Sequence, residues 1–226
     1  MATTTKDFGV IGKKLGMTQV FDAEGDVVPV TIIQIAENIV TEIKTKERDG
    51  YHALQLGAFT KREKLLTKPE RGNLQKKNLP NLSKLQEYRA HENIEGINVG
   101  DAFNAEDFFK DLEKVNITST SIGKGFQSGI KLYNMRVGRR SHGSKSKRII
   151  GSLGAGTTPG RVFPGKRMPA RMGDNTVTIT KVKVFRYDAE QRLLLVKGPV
   201  SGKRGAVVSV QANGVKSWNH NNKKAK

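Results

Sequence analysis

Between Gly123 and Gly173 the chain runs for 51 residues with twelve Lys/Arg and not one Asp or Glu. Eleven of those residues are glycine. The last twenty, "GAGTTPGRVFPGKRMPARMG" (Gly154–Gly173), add three prolines. Glycine and proline are poor residues for the interior of a helix or strand. A run of cations without acids also repels itself. Such a stretch neither buries a core nor holds a regular element. Any fold must be assembled from the sequence on either side of it.

Both flanks read as strands. "VVPVTIIQI" (Val27–Ile35), "NIVTEIKT" (Asn38–Thr45) and "HALQLGAF" (His52–Phe59) are short β-branched or alternating runs. The turn signals Glu24-Gly25-Asp26 and Arg48-Asp49-Gly50 separate them. The pattern returns in "TVTITKVKVFRYDA" (Thr176–Ala189), "RLLLVKGPV" (Arg192–Val200) and "GAVVSVQA" (Gly205–Ala212). Evenly spaced strands at both ends of a 226-residue chain point to one closed β-barrel built from both. The intervening sequence differs. "NLSKLQEYRA" (Asn81–Ala90) reads as a short helix. "NAEDFFKDLEK" (Asn104–Lys114) reads as a better one, capped by Asn104, with Phe108, Phe109 and Leu112 on one face. "VNITSTSIGKGF" is one more strand, leading into the basic stretch. The expected division is a barrel from residues 1–60 and 174–215 with a strand at 114–122, an inserted α+β portion at 61–113, a basic loop at 123–173 and a frayed tail at 216–226.

The formal net charge is +19, and the basic stretch alone carries +12 of it. The remaining sequence holds 28 basic and 21 acidic residues, an ordinary excess. A charge this large calls for a polyanionic partner, and nucleic acid is the commonest. No apolar run approaches the roughly 18 residues of a membrane span, and "MATTTKDFGVIGKKLGMTQVF" lacks the apolar core of a signal peptide. No membrane partner is expected. The absence of cysteine removes disulfides, thiolate metal sites and thiol nucleophiles.

Catalysis has no visible carrier. His52, His91, His142 and His220 are scattered without ligand spacing, so no metal site is expected. "GKKLGMT" (Gly12–Thr18) fails the phosphate-loop pattern. Its expected role is a turn that aims Lys13 and Lys14 at phosphate. The basic stretch reads instead as an arm threaded along nucleic-acid phosphates. Its contacts would be Lys124, Lys131, Arg136, Arg139, Arg140, His142, Lys145, Lys147, Arg148, Arg161, Lys166, Arg167 and Arg171. Gly154, Gly156, Gly160 and Gly165 would let the backbone lie against RNA, and Phe126, Tyr133 and Phe163 could stack on unpaired bases. Extended out and back, the arm would reach at most roughly 80 Å.

Three motifs then carry a family resemblance. "GVIGKKLGMTQVF" (Gly9–Phe21), "STSIGKGFQSG" followed by "SHGSKSKRIIGSLGAGTTPGRVFPGKRMPARMG", and "YDAEQRLLLVKGPVSGKRG" (Tyr187–Gly205) resemble, in order, the opening, the central loop and a strand-turn-strand of the universal large-subunit ribosomal protein family called L-three. The resemblance is collinear over about Phe8–Val210, and its wording is bacterial, nearest the cyanobacterial or plastid type. It implies a mainly β fold: a translation-factor-type six-stranded β-barrel with an inserted α+β portion and a long basic extension loop. It implies a structural, non-enzymatic part of the large subunit that binds the 3′-terminal domain of the large rRNA and supports assembly. The loop would extend toward the peptidyl-transferase centre, with the ribosomal proteins called L-fourteen and L-nineteen as neighbours. The implied location is a ribosome in a plastid stroma or bacterial cytoplasm. No cofactor is implied beyond Mg2+ belonging to the rRNA. The chain departs from the family pattern at Ser128, where a glycine is usual, and at Leu132, where an arginine is usual. Thr157 stands where some bacterial members carry a methylated glutamine. The rival readings are a non-ribosomal RNA-binding assembly factor and an enzyme acting on RNA.

Overall fold

The structure is a computed structural model, and it describes residues 8–90, 96–109 and 112–212. His91, His220 and the expected tail at 216–226 lie outside those residues. The chain divides into two compact units, one formed by Met1–Thr120 with Val177–Lys226, the other by Ser121–Thr176.

The first unit contains a closed barrel of six strands. In chain order they begin with β1 (Gly9–Phe21) and β2 (Val27–Ile35). β3 (Asn38–Lys44), α1 (Lys46–Asp49), β4 (Ala53–Thr60), α2 (Lys68–Lys76), β5 (Leu82–Arg89), β6 (Ala102–Phe103) and α3 (Ala105–Phe109) follow. β7 (Lys114–Thr120) returns to the barrel. The second unit holds β8 (Phe126–Gln127), α4 (Gly129–Tyr133) and β9 (Ala170–Arg171). β10 (Thr176–Asp188), β11 (Leu193–Lys197) and β12 (Val207–Ala212) then complete the barrel in the spatial order β1-β12-β7-β10-β11-β2. The expectation of a barrel drawn from both chain ends is met.

Alternation decides what lies inside. Val208, Val210 and Ala212 of β12 stand opposite Ser119, Ile117 and Val115 of β7, all buried. Leu194 and Val196 of β11 stand opposite Ile33 and Thr31 of β2, again buried. These side chains form one core, into which Phe108 and Phe109 of α3 insert. Asn104 starts α3 as expected: the Glu106 N–H donates to Asn104 Oδ1 at 3.1 Å. The helix is shorter than the sequence suggested, and Lys114 already belongs to β7. In β10 the apolar rhythm slips by one residue between Ile179 and Val182. The slip is taken up at Lys181, with φ 58°, whose N–H donates to Asn116 Oδ1 at 2.9 Å.

Two expectations are corrected. The expected barrel runs through residue 60, but β3 and β4 belong to a separate four-stranded sheet of order β5-β4-β3-β6. Alternation identifies a strand without saying which sheet it joins. Asn38 makes the separation. Its Oδ1 accepts from the Ile11 N–H at 2.9 Å, and its Nδ2 donates to the carbonyls of Ile11 at 3.3 Å and Ala36 at 2.8 Å. The chain is thereby held against the outer face of β1 as it leaves the barrel. Phe8, Ile11, Val40, Leu54, Leu56 and Tyr88 fill the second core formed there. The second correction is Asn81–Ala90, which is strand β5 and not a helix. Leu82, Leu85 and Tyr88 recur at a helical interval, yet β5 pairs with β4 from Ala53↔Arg89 to Thr60↔Leu82. Leu82 and Tyr88 are buried in different clusters, Leu82 with Leu74 and Leu79 and Tyr88 with Leu54 and Leu56, and Tyr88 reaches Ser209 on β12 with an O···O distance of 2.8 Å. Backbone pairing to a buried neighbour outweighs the weak local preference.

Candidate nucleic-acid interface

Unit Ser121–Thr176 opens on a short paired stem. The Ser121 N–H donates to Asn175 O at 2.9 Å, Lys124 N–H to Met172 O at 2.8 Å, and Met172 N–H to Gly125 O at 2.9 Å. β8 and β9 continue it antiparallel, Phe126 opposite Arg171 and Gln127 opposite Ala170. Gly173 closes the stem with φ 75°, and a Cβ there would lie 2.1 Å from Ile122 O, so no other residue fits. Beyond the stem, Ser128 O accepts the N–H groups of Lys131 and Leu132 as α4 begins. Gly138 N–H donates to Lys147 O at 3.0 Å. A Cβ on Gly138 would meet Ser146 O at 2.2 Å, so glycine alone permits this closure. The closed loop carries Arg139, Arg140, His142 and Lys145 on its outside, all exposed.

The unit has almost no interior. Gly129 is its one buried residue among those described. All twelve cations, Lys124, Lys131, Arg136, Arg139, Arg140, Lys145, Lys147, Arg148, Arg161, Lys166, Arg167 and Arg171, are exposed. None pairs with a carboxylate of the described residues. Two of them rest on rings instead: Arg161 lies 5.7 Å from the centroid of Phe163, and Arg167 lies 5.5 Å from that of Tyr133. Phe163 and Phe126 are 59% and 71% exposed, which is a poor use of an aromatic ring unless something covers it. In the segment 151–167 every residue is exposed. Gly156, Gly160 and Gly165 there have positive φ, and a Cβ on Gly156 or Gly165 would meet only open space. Gly154 has an ordinary φ, with Arg161 O 3.8 Å from where its Cβ would be.

The Gly12-Lys13-Lys14 expectation is corrected. These residues lie within β1, paired to β12 and β2, and form no turn. Lys13 is exposed. Lys14 stands opposite Ile33 on the core-facing side, and its Nζ donates to Val200 O at 2.6 Å and Gly202 O at 3.1 Å. It ties down the chain between β11 and β12, and two of its three donors are already engaged there.

The sequence reading overlooked a second cationic surface. Arg62, Lys64, Lys68, Lys76 and Lys84 are exposed around α2 and the start of β5, over a small cluster of Leu74, Leu79 and Leu82. The signal was present but diluted, since Glu63 and Glu70 sit among these cations. Glu63 pairs with Arg71 at 2.9 Å, and Glu70 closes a capping box with Thr67 at the start of α2. A cleft of about 230 Å³ is lined by Glu37, Phe103, Asn104, Glu106, Tyr187 and Arg192. Among the described residues no three His, Asp or Glu side chains could hold a metal, and no helix is long and apolar enough to cross a membrane.

Comparison with known proteins agrees with this arrangement. The family described as ribosomal protein L3 matches residues 81–193. The chain is 48% identical to the large ribosomal subunit protein uL3 of Thermosynechococcus vestitus, over 89% of this chain and 94% of that one. It is 48% identical to uL3 of Acaryochloris marina, over 90% and 95% respectively. It is 47% identical to the large ribosomal subunit protein uL3c of Arabidopsis thaliana, over 89% and 74%. With a family match over residues 81–193 and relatives 47–48% identical over about nine tenths of it, the chain belongs to the ribosomal protein L3 family.

Proposed function

We propose that this protein is a structural constituent of the large ribosomal subunit, held there by rRNA bound to unit Ser121–Thr176. One observation carries the reading: twelve exposed cations, no acid between Gly123 and Gly173, and a single buried residue among those described in the unit. A surface of that kind is stabilised only by a partner that supplies both negative charge and packing. Folded RNA supplies both. Phosphates meet the Arg and Lys side chains, which sets affinity, and the shape of the RNA around the loop sets specificity. Phe126 and Phe163 offer faces for unpaired bases.

The relatives are named as large-subunit proteins of cyanobacteria and of a plant chloroplast lineage. That favours a bacterial or plastid ribosome over a free assembly factor. The protein's part is to position RNA, and no reaction is assigned to it. The finer placement rests on family resemblance: the 3′-terminal domain of the rRNA around the barrel, the basic loop directed to the peptidyl-transferase region, the proteins L-fourteen and L-nineteen beside it, and Mg2+ contributed by the RNA alone. A tagged chain expressed in a cyanobacterial host tests the reading. It should sediment with the large subunit through a high-salt wash. Recovery at the top of the gradient, apart from mature subunits, would overturn it.

A further inference from the structure

Among the described residues the tip of the β1–β2 hairpin pairs with no third strand. β1 is paired with β12 only as far as Lys13↔Val207, and β2 with β11 only from Val30 to Gln34. Met17 stands opposite Thr31, which β11 also pairs, and Pro29 O still accepts the Gly198 N–H at 2.9 Å; past that point the two strands pair with each other, Gln19↔Pro29 and Phe21↔Val27. Side chains directly opposite on paired strands share a face. This face is the continuation of the barrel interior, since Ile33 and Ile35 belong to it lower on β2. Past the rim it leaves the core and is apolar apart from exposed Gln19. Phe21 is 69% exposed, Val27 54% and Met17 51%, and Pro29 is exposed beside them.

The charge around this face has the opposite sign to the rest of the molecule. From Leu15 to Ile43 there is no Lys or Arg, in a chain of net charge +19. The turn between the strands holds Asp22, Glu24 and Asp26, all exposed and none paired with a cation of the described residues. The turn is set by its own bonds: Asp22 N–H donates to Asp26 O at 2.9 Å, Gly25 N–H to Asp22 O at 3.0 Å, and Ala23 N–H to Asp22 Oδ1 at 2.8 Å. Three carboxylates repel a phosphate backbone, which disfavours RNA as the occupant of this hairpin.

We propose that the Met17–Pro29 hairpin face docks a basic polypeptide, a protein other than this chain, whose apolar side chains cover Phe21 and Val27 and whose Lys or Arg residues meet Asp22, Glu24 and Asp26. Aromatic anchors ringed by charges of one sign form a surface that selects its partner by complementary charge. The hairpin belongs to the unit formed by Met1–Thr120 with Val177–Lys226. The proposal rests on the ribosomal reading only for where the partner is met.

The test places the photo-crosslinker p-benzoylphenylalanine at Phe21, and separately at Val27, in the full chain, and isolates large subunits by sedimentation. After irradiation, mass spectrometry should identify one basic protein at both positions. Changing Asp22, Glu24 and Asp26 together to Lys should lower that crosslink about tenfold or more, while the chain still sediments with the subunit. Crosslinks to rRNA, to an acidic protein or to a second copy of this chain would overturn the proposal. So would their absence from subunits that do contain the chain, or a crosslink indifferent to the charge reversal. A chain that never enters the subunit refutes the ribosomal reading itself, and the hairpin proposal falls with it.

Discussion

Lys14 and Arg140 show how differently two cations of one chain are employed. Lys14 Nζ satisfies the carbonyls of Val200 and Gly202. Arg140 stands exposed with no described carboxylate near it. Lys14→Met should therefore cost stability, about 1–2 kcal/mol from two carbonyls left without a donor, and leave the salt dependence of RNA binding unchanged. Arg140→Gln should do the reverse, leaving the unfolding midpoint alone and reducing the log–log salt slope by roughly 1. Urea denaturation and filter binding on the two variants check both halves. In the sequence the two residues look alike, each a base near glycine. What separates them is the strand register that turns Lys14 to the inner face, and register is set by pairing partners some twenty to two hundred residues away. The arm cations were legible because their exposure follows from composition: nothing around them could form a core to hide them.

At the scale of elements, β2 was readable to the residue, Val27–Ile35, because turn signals bound a clean β-branched run. β5 was not, because its apolar spacing suits a helix and its strand state is imposed by β4. The sheet containing it has a pH dependence of its own. Glu42 is held below the usual carboxylate range, first by the hydrogen bond from Lys77 at 3.0 Å, against some opposition from burial, with Arg48 assisting at 2.6 Å. At Glu87 burial opposes ionisation most strongly, but Lys44 at 2.8 Å and Tyr51 together outweigh it and the net shift is again downward. A depressed folded-state pKa adds stability above the ordinary value, and that stability is lost as pH falls through the folded pKa. Unfolding free energy should hold between pH 7 and 5 and drop below about pH 4.5. The part due to this pair is about 1 kcal/mol and should vanish in the Glu42→Gln/Glu87→Gln double variant. Amide exchange of the isolated protein supplies a second check on the elements. Residues 151–167, with no buried side chain, should exchange near the unprotected rate while β1, β7 and β12 exchange slowly. A protected tip in the absence of RNA would contradict this.

For the whole molecule, the division of labour is chemical. One unit folds on two apolar cores, tied together by Asn38 and by a run of aromatic contacts from Phe8 through Phe103 and Phe108 to Phe109 and Tyr187. The other carries charge with hardly any interior. The family was legible from three collinear motifs, and a barrel drawn from both chain ends was legible from alternation, while its six-strand count came with the family resemblance. The second sheet and the acidic, apolar hairpin tip were not legible. Each depends on which strands end where, and that is decided by pairing. The central claim is that the cationic unit holds this chain to rRNA, and the salt dependence of binding tests it most directly. Full-length protein should lose roughly three orders of magnitude in affinity for large-subunit rRNA between 50 and 200 mM salt if about six cations meet phosphates. The same chain with Arg139, Arg140, Lys145, Arg161, Lys166 and Arg167 changed to Gln should lose most of that slope while keeping its unfolding midpoint. An unchanged slope in the variant, or a flat response in the parent, would contradict the account.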